Sequence, residues 1–124
     1  MLSDMIVNWR DKRIIEDGCG GVVYKILDID NSGLKNVELA MCVFAPKEKA
    51  VLHYHKKMEE IYFIVDGEAE IELDNRRYEL KNEDSIAVPI GVKHRICNAS
   101  SRNPLRFLSI NSPSWQEDDM IIVE

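Results

Sequence analysis

The chain holds three histidines, and two of them stand two residues apart as His53-Tyr54-His55. In an extended strand such residues point to the same face, so both imidazoles look one way. After the intervening Lys56-Lys57-Met58-Glu59 comes Glu60, which a hairpin loop would bring beside the pair. His94 follows Pro89-Ile90-Gly91, a turn signal that reverses the chain into a further strand. A His-x-His pair taken alone more often faces solvent from a strand's outer side than forms a site, and Glu59 competes with Glu60 as the neighbouring carboxylate. Gathered in one place, three imidazoles and one carboxylate would form a mixed N/O set. Such a set suits Fe, Mn, Ni, Co, Cu or Zn, and poorly suits Ca or Mg, which prefer oxygen.

The elements that must position these groups read as strands. Short runs rich in β-branched and aromatic residues recur from Val22 onward, punctuated by Gly, Asn, Asp and Pro. They predict strands over 22–28, 38–44, 51–55, 60–65, 68–73, 76–80, 85–88, 94–98 and 105–110, with a short terminal strand at 120–123. Asp66-Gly67 and Asp74-Asn75 fall where tight hairpin turns are expected, because these residue types tolerate positive φ. No long segment has helical periodicity, although Trp9 to Glu16 could form a short helix ended by Gly18, Gly20 and Gly21. The rhythm is that of an all-β sandwich or barrel.

With the strands in place, the histidines carry a resemblance. The chain is similar to the cupins, small β-barrels marked by two short metal-site motifs. The first runs Gly, five residues, His-x-His, three or four residues, Glu, six residues, Gly; here it reads Lys47, His53-x-His55, Glu60, Gly67. The second runs Gly, five residues, Pro-x-Gly, two residues, His, three residues, Asn; here it reads Glu83, Pro89-x-Gly91, His94, Asn98. Every ligand position matches, and the departures are the two leading glycines, replaced by Lys47 and Glu83.

The resemblance implies an all-β, single-domain cupin-type antiparallel β-barrel, a double-stranded β-helix or jelly roll. Residues 1–20 would form an N-terminal arm and residues 21–124 the barrel. It also implies one divalent transition metal per chain, Fe or Mn first and Ni, Co, Cu or Zn as alternatives, on His53, His55, Glu60 and His94. Four protein ligands on an octahedral ion leave two positions open, the mark of a reactive site rather than a closed structural one. With neutral imidazoles and one carboxylate the site carries a charge near +1 and should attract a small organic anion. The expected activity is that of a small metalloenzyme, a dioxygenase or an isomerase or lyase acting through an enolate. The alternative is a module that binds or senses a small molecule without turnover. Tyr62, two residues past Glu60 on the same face, is the candidate proton donor, or else an aromatic wall. Asn98 either supports the site or caps a strand.

Composition narrows the partners. A formal net charge of -6, with Lys and Arg scattered among acids, argues against nucleic acid or an anionic membrane as partner. The longest apolar stretches, 61–65 and 86–90, are far shorter than the ~20 residues of a membrane span. Met1 to Asp4 carry an acid before the first base, Arg10, and no long apolar run follows, so no signal peptide is expected. Three cysteines, Cys19, Cys42 and Cys97, lack metal spacing and fit free thiols in a reducing compartment, which points to the cytoplasm. The apolar residues of the arm and of Met120 to Val123 need cover, for which a second copy in a homodimer is one candidate.

Overall fold

The computed structural model describes residues 2–11, 14–15 and 20–124. After two 3₁₀ turns (Leu2–Met5 and Trp9–Asp11) come β1 (Ile14–Ile15), β2 (Val22–Leu27), a one-turn helix α1 (Ile29–Ser32), β3 (Glu38–Phe44), β4 (His53–His55) and β5 (Glu59–Asp66). Then follow β6 (Ala69–Leu73), β7 (Arg76–Leu80), β8 (Ser85–Val88), β9 (His94–Asn98), β10 (Leu105–Ser112) and β11 (Met120–Ile122). The strands form two antiparallel sheets, one in the order β1-β2-β3-β10-β5-β8 and one in the order β11-β4-β9-β6-β7. Their facing surfaces enclose a core that includes Phe44, Ile64, Ile71, Ile96, Leu105 and Phe107. This is the all-β sandwich expected from the strand rhythm and the jelly roll that the cupin resemblance implies.

Period-two patterning decides which side chains enter that core. In β5, Glu60, Tyr62 and Ile64 are buried while Glu59 and Ile61 are exposed, so the sheet's pleat selects Glu60 over its acidic neighbour. In β4, His53 and His55 are both buried and Tyr54 between them is less so.

The expected turns hold in chemistry but not always in partner. Asp74 and Asn75 have φ of 44° and 72° and join β6 to β7 in a two-residue hairpin. Asp66-Gly67, expected as a hairpin, instead carries the chain from one sheet to the other, because β5 pairs with β10 and β8 while β6 pairs with β7 and β9. The 56–58 loop likewise crosses between sheets, so Glu60 meets the histidine pair across the barrel rather than beside it in one sheet.

Lys47 and Glu83, which stand where glycine was expected, have φ of 65° and 73°. The left-handed conformation is thus kept by residues with a Cβ, at roughly 1 kcal/mol each. Backbone hydrogen bonds hold both, from Lys47 N to Ser100 O at 3.0 Å and from Glu83 N to Ile64 O at 2.8 Å.

The Trp9–Glu16 segment differs from the expected short helix. The 3₁₀ turn ends at Asp11 and Ile14–Ile15 pairs with β2, while Glu16 and Gly18 lie outside the described residues. Trp9 packs edge-on against Tyr24 at 5.0 Å, so a turn suffices to seat its ring on the sheet. The helix that does form, α1, was too short to show a period. Its Asp28 N-cap and Asn31 make a reciprocal capping box, and Gly33 with φ 74° closes it.

Candidate metal centre

Strand register brings the four residues together. His53 on β4 is directly opposite His94 on β9, with ring centroids 4.3 Å apart. His55, two residues along β4, shares their face, and β5 supplies Glu60 from the opposing sheet. Solvent exposure is 3% for His53, 4% for His55, 6% for Glu60 and 1% for His94, so the cluster lies inside the barrel. One potential ligand atom from each lies within 4.8 Å of all the others. Around an ion with bonds of ~2.1 Å, adjacent ligands would sit ~3 Å apart and opposite ones ~4.2 Å apart.

The tautomers follow from the outer hydrogen bonds. His53 Nδ1 lies 2.8 Å from Val51 O and His94 Nδ1 lies 2.9 Å from Val92 O. Carbonyls only accept, so in both rings Nδ1 carries the proton and Nε2 presents a lone pair. His55 Nδ1 lies 3.0 Å from Asp119 Oδ2, which fixes the third ring the same way. Yet Glu60 Oε1 is 3.0 Å from both His55 Nε2 and His94 Nε2. Lone pairs and a carboxylate converge there with no donor left among them, and such an arrangement is stable only with a cation at its centre. A proton on one ring or a metal ion supplies that charge, and these donors fit a divalent transition metal.

The ionisation of the cluster agrees. When a proton supplies that charge, Nε2 of His55 or His94 becomes a donor to Glu60: burial pushes the carboxyl toward its neutral form, but this bonding with His55 and His94 prevails and holds it well below the usual carboxylate range. Burial, helped by neighbouring His94, lowers His53 to about 4, so this ring is neutral at physiological pH. At His55 burial opposes protonation, but Glu60 and Asp119 together outweigh it and raise the pKa.

Asp119 is the residue that sequence reasoning missed. It is buried, its Oδ2 holds His55, and its Oδ1 accepts from Lys57 N at 2.6 Å. The pairing of Met120 with His55 delivers it, 64 residues downstream of the ring it orients. Nothing local marks it within the polar 112–119 run; only the terminal strand beside it hinted that this stretch returns to the sheet.

Tyr62 lines the same cavity, its ring edge-on to Phe107 at 5.2 Å and 6.2 Å from His94. The cavity, of about 70 Å³, is walled further by Phe44, Met58, Ile96 and Trp115. Trp115 is 43% exposed at its rim. Asn98 is a structural clamp: Nδ2 donates to the carbonyls of Phe44, Ala45 and Asn103, and Oδ1 accepts from Ser100 N. Cys42 is buried, and Cys97 donates weakly to Glu70 O, with burial pushing its thiol pKa up. Neither is disulfide-bonded, and Cys19 lies outside the described residues. Among the described residues no helix is long and apolar enough to cross a membrane.

Comparison with known proteins agrees with this geometry. The uncharacterized protein MJ1618 of Methanocaldococcus jannaschii is 35% identical over 115 residues, which cover 93% of this chain and 85% of that one. Among solved structures, the polyketide cyclase RemF of Streptomyces resistomycificus superposes with a TM-score of 0.80 at 19% identity, over 96% of this chain and 84% of that one. A predicted oxalate decarboxylase of Thermotoga maritima superposes with a TM-score of 0.76 at 23% identity, over 87% and 98%. The family model of the cupin domain matches residues 40–111, a span that includes His53, His55, Glu60 and His94 together with the strands that carry them, and the chain belongs to the cupin family.

Proposed function

We propose that the protein is a metalloenzyme acting on a small organic anion. One observation carries this reading: three imidazole lone pairs and a buried carboxylate converge on one point, with every outer ring nitrogen already engaged. His53, His55, Glu60 and His94 would hold one divalent transition metal, with Fe or Mn as first expectation. Bound there, the ion would act as a Lewis acid toward a substrate oxygen. The chain's own residues do the rest. Phe44, Phe107 and Ile96 limit water in the cavity and lower its dielectric, so that charge on the substrate is felt strongly. Tyr62, on the inner face with Glu60, would orient the substrate or give it a proton.

An anionic ligand is supported by the charge near +1 that a divalent ion, three neutral imidazoles and the Glu60 carboxylate would leave at the site. Fold alone does not choose among reactions, so the choice between dioxygenase and isomerase or lyase chemistry falls to assay. Oxygen uptake during turnover marks the first and its absence the second. The ligand set is tested by elemental analysis of protein purified without chelators. About one transition-metal ion per chain is expected, and near zero in a His53→Ala/His94→Ala variant; unchanged metal in that variant refutes the assignment.

We further propose a barrel over residues 21–124 and assembly as a homodimer. Leu2 and Ile6, more than four-fifths exposed, and Ile122, half exposed, support a covered surface near the chain's ends.

A further inference from the structure

The cavity has a second polar wall that the ligand cluster does not use. Asn111 on β10 stands directly opposite Glu60 on β5 and opposite Glu38 on β3. It is 8% exposed and lines the cavity. Ser109 Oγ donates to its Oδ1 at 2.9 Å, while its Nδ2 has no hydrogen-bond partner among the described residues. No buried side-chain polar atom among the described residues lacks a partner, so this amide nitrogen is one that solvent reaches from the cavity Asn111 lines, and it is presented to whatever fills that cavity. On the next rung Lys25 faces Ala40, and Ala40 faces Ser109. The small alanine leaves room for the Lys25 side chain to line the same wall, with Nζ 2.8 Å from Glu38 Oε2. Two donors and a methyl thus replace the apolar side chains that a plain barrel core would place here.

We infer that Asn111, held in orientation by Ser109, is a second recognition point in the pocket. It takes one oxygen of a short organic anion whose other oxygen function lies at the His/Glu cluster. Lys25 sits farther along the wall, its charge balanced by Glu38 at 2.8 Å, so the negative charge of the ligand is met at the metal cluster. Because Asn111 and Glu60 are paired directly across strands, their Cα atoms lie ~5 Å apart and the two recognition points are adjacent. The ligand class is therefore an anion with two oxygen functions separated by one or two carbons, a short dicarboxylate or a β-keto acid, rather than a monocarboxylate or a longer diacid such as glutarate. The inference rests on the reading of the cluster as a metal site.

Calorimetric titration with acetate, malonate and glutarate tests it, on protein whose metal content is measured in the same samples. Wild type should bind malonate about tenfold or more tightly than acetate or glutarate. Asn111→Leu should bring malonate within about twofold of acetate, with acetate affinity, metal content and melting temperature unchanged. Retention of the malonate preference in Asn111→Leu overturns the inference. Should wild type hold no metal, the metal reading fails, yet the titration still decides on Asn111: weaker malonate binding in the variant supports the subsite, and equal or absent binding overturns it. If Asn111→Leu does not fold, Asn111→Asp replaces the donor by an acceptor of the same size. It should lose malonate, and its retention of malonate is again decisive against the subsite.

Discussion

Replacing Asp119 by asparagine isolates the carboxylate that orients His55. The native side chain meets two donors with two acceptor oxygens, His55 Nδ1 at Oδ2 and Lys57 N at Oδ1. Asparagine keeps the shape but offers one acceptor, so one of these donors must face an amide N–H₂. If His55 is the one deprived, its ring loses both its orientation and the negative charge that makes its far nitrogen a better donor. If Lys57 N is deprived, the loop between His55 and Glu60 loses its tether. Outer partners of metal-ligating histidines are typically worth 10–100-fold in metal affinity, or about 1.4–2.8 kcal/mol. The assay is a competition titration of Zn or Mn against a chromophoric chelator, comparing wild type, Asp119→Asn and the exposed neighbour variant Asp118→Asn. Only the Asp119 variant should weaken binding by tenfold or more. A dissociation constant within twofold of wild type refutes the argument from hydrogen bonding. An equal loss in Asp118→Asn would trace the effect to bulk charge instead. Melting temperature is the poorer readout, because the metal-free variant is itself destabilised by the unpaired donor.

Other outcomes follow from the same geometry. In chelator-treated protein His53 keeps a pKa near 4 while in the unfolded chain it returns to 6.5, so the unfolded state alone takes up a proton between these values and stability falls as pH drops from 6.5 to 4. The loss is up to about 3 kcal/mol, and denaturant titration of wild type against His53→Gln should show it shrinking in the variant; parallel pH profiles would contradict this. Tyr62→Phe should leave metal content and melting temperature nearly unchanged while lowering kcat about 10²-fold if the phenol gives up a proton; full turnover would leave it a wall, and a change in KM alone would make it a binding contact. Light scattering at micromolar concentration should give two chains per particle, and one chain per particle contradicts the proposed homodimer.

How far the sequence was legible depends on how local each signal is. His53, His55, Glu60 and His94 could be singled out because each lies in one of two short motifs of fixed spacing that carry the cupin resemblance, within which strand alternation and turn residues act over a few positions. The same pleat that buries Glu60 exposes Glu59. Lys47 and Glu83 concealed their backbone conformation, since neither residue type announces a positive φ. Turn chemistry at Asp66-Gly67 correctly foretold a bend but could not say which sheet the next strand would join, a choice made by burial of the whole β6 face. Asp119 was beyond reach for a related reason. Its partner is fixed by the pairing of β11 with β4, a contact between distant segments that leaves no period in the sequence. Asn111 reads as one polar residue in an alternating strand, and only the cross-strand register reveals that its amide stands next to Glu60.

The division of the cluster between sheets has a mechanical meaning. His53, His55 and His94 ride on one sheet and Glu60 on the other. An ion held by all four would therefore rivet the two halves of the sandwich together at mid-height, closing a loop between positions 53 and 94 much as a covalent crosslink would. Breathing of the seam would have to tear out either the carboxylate or the imidazoles, so escape of the ion and parting of the sheets become a single event. The dwell time of the metal then acts as a clock for how often the barrel opens, and amide exchange in β4, β5 and β9 should slow together, by a common factor, when the rivet is in place.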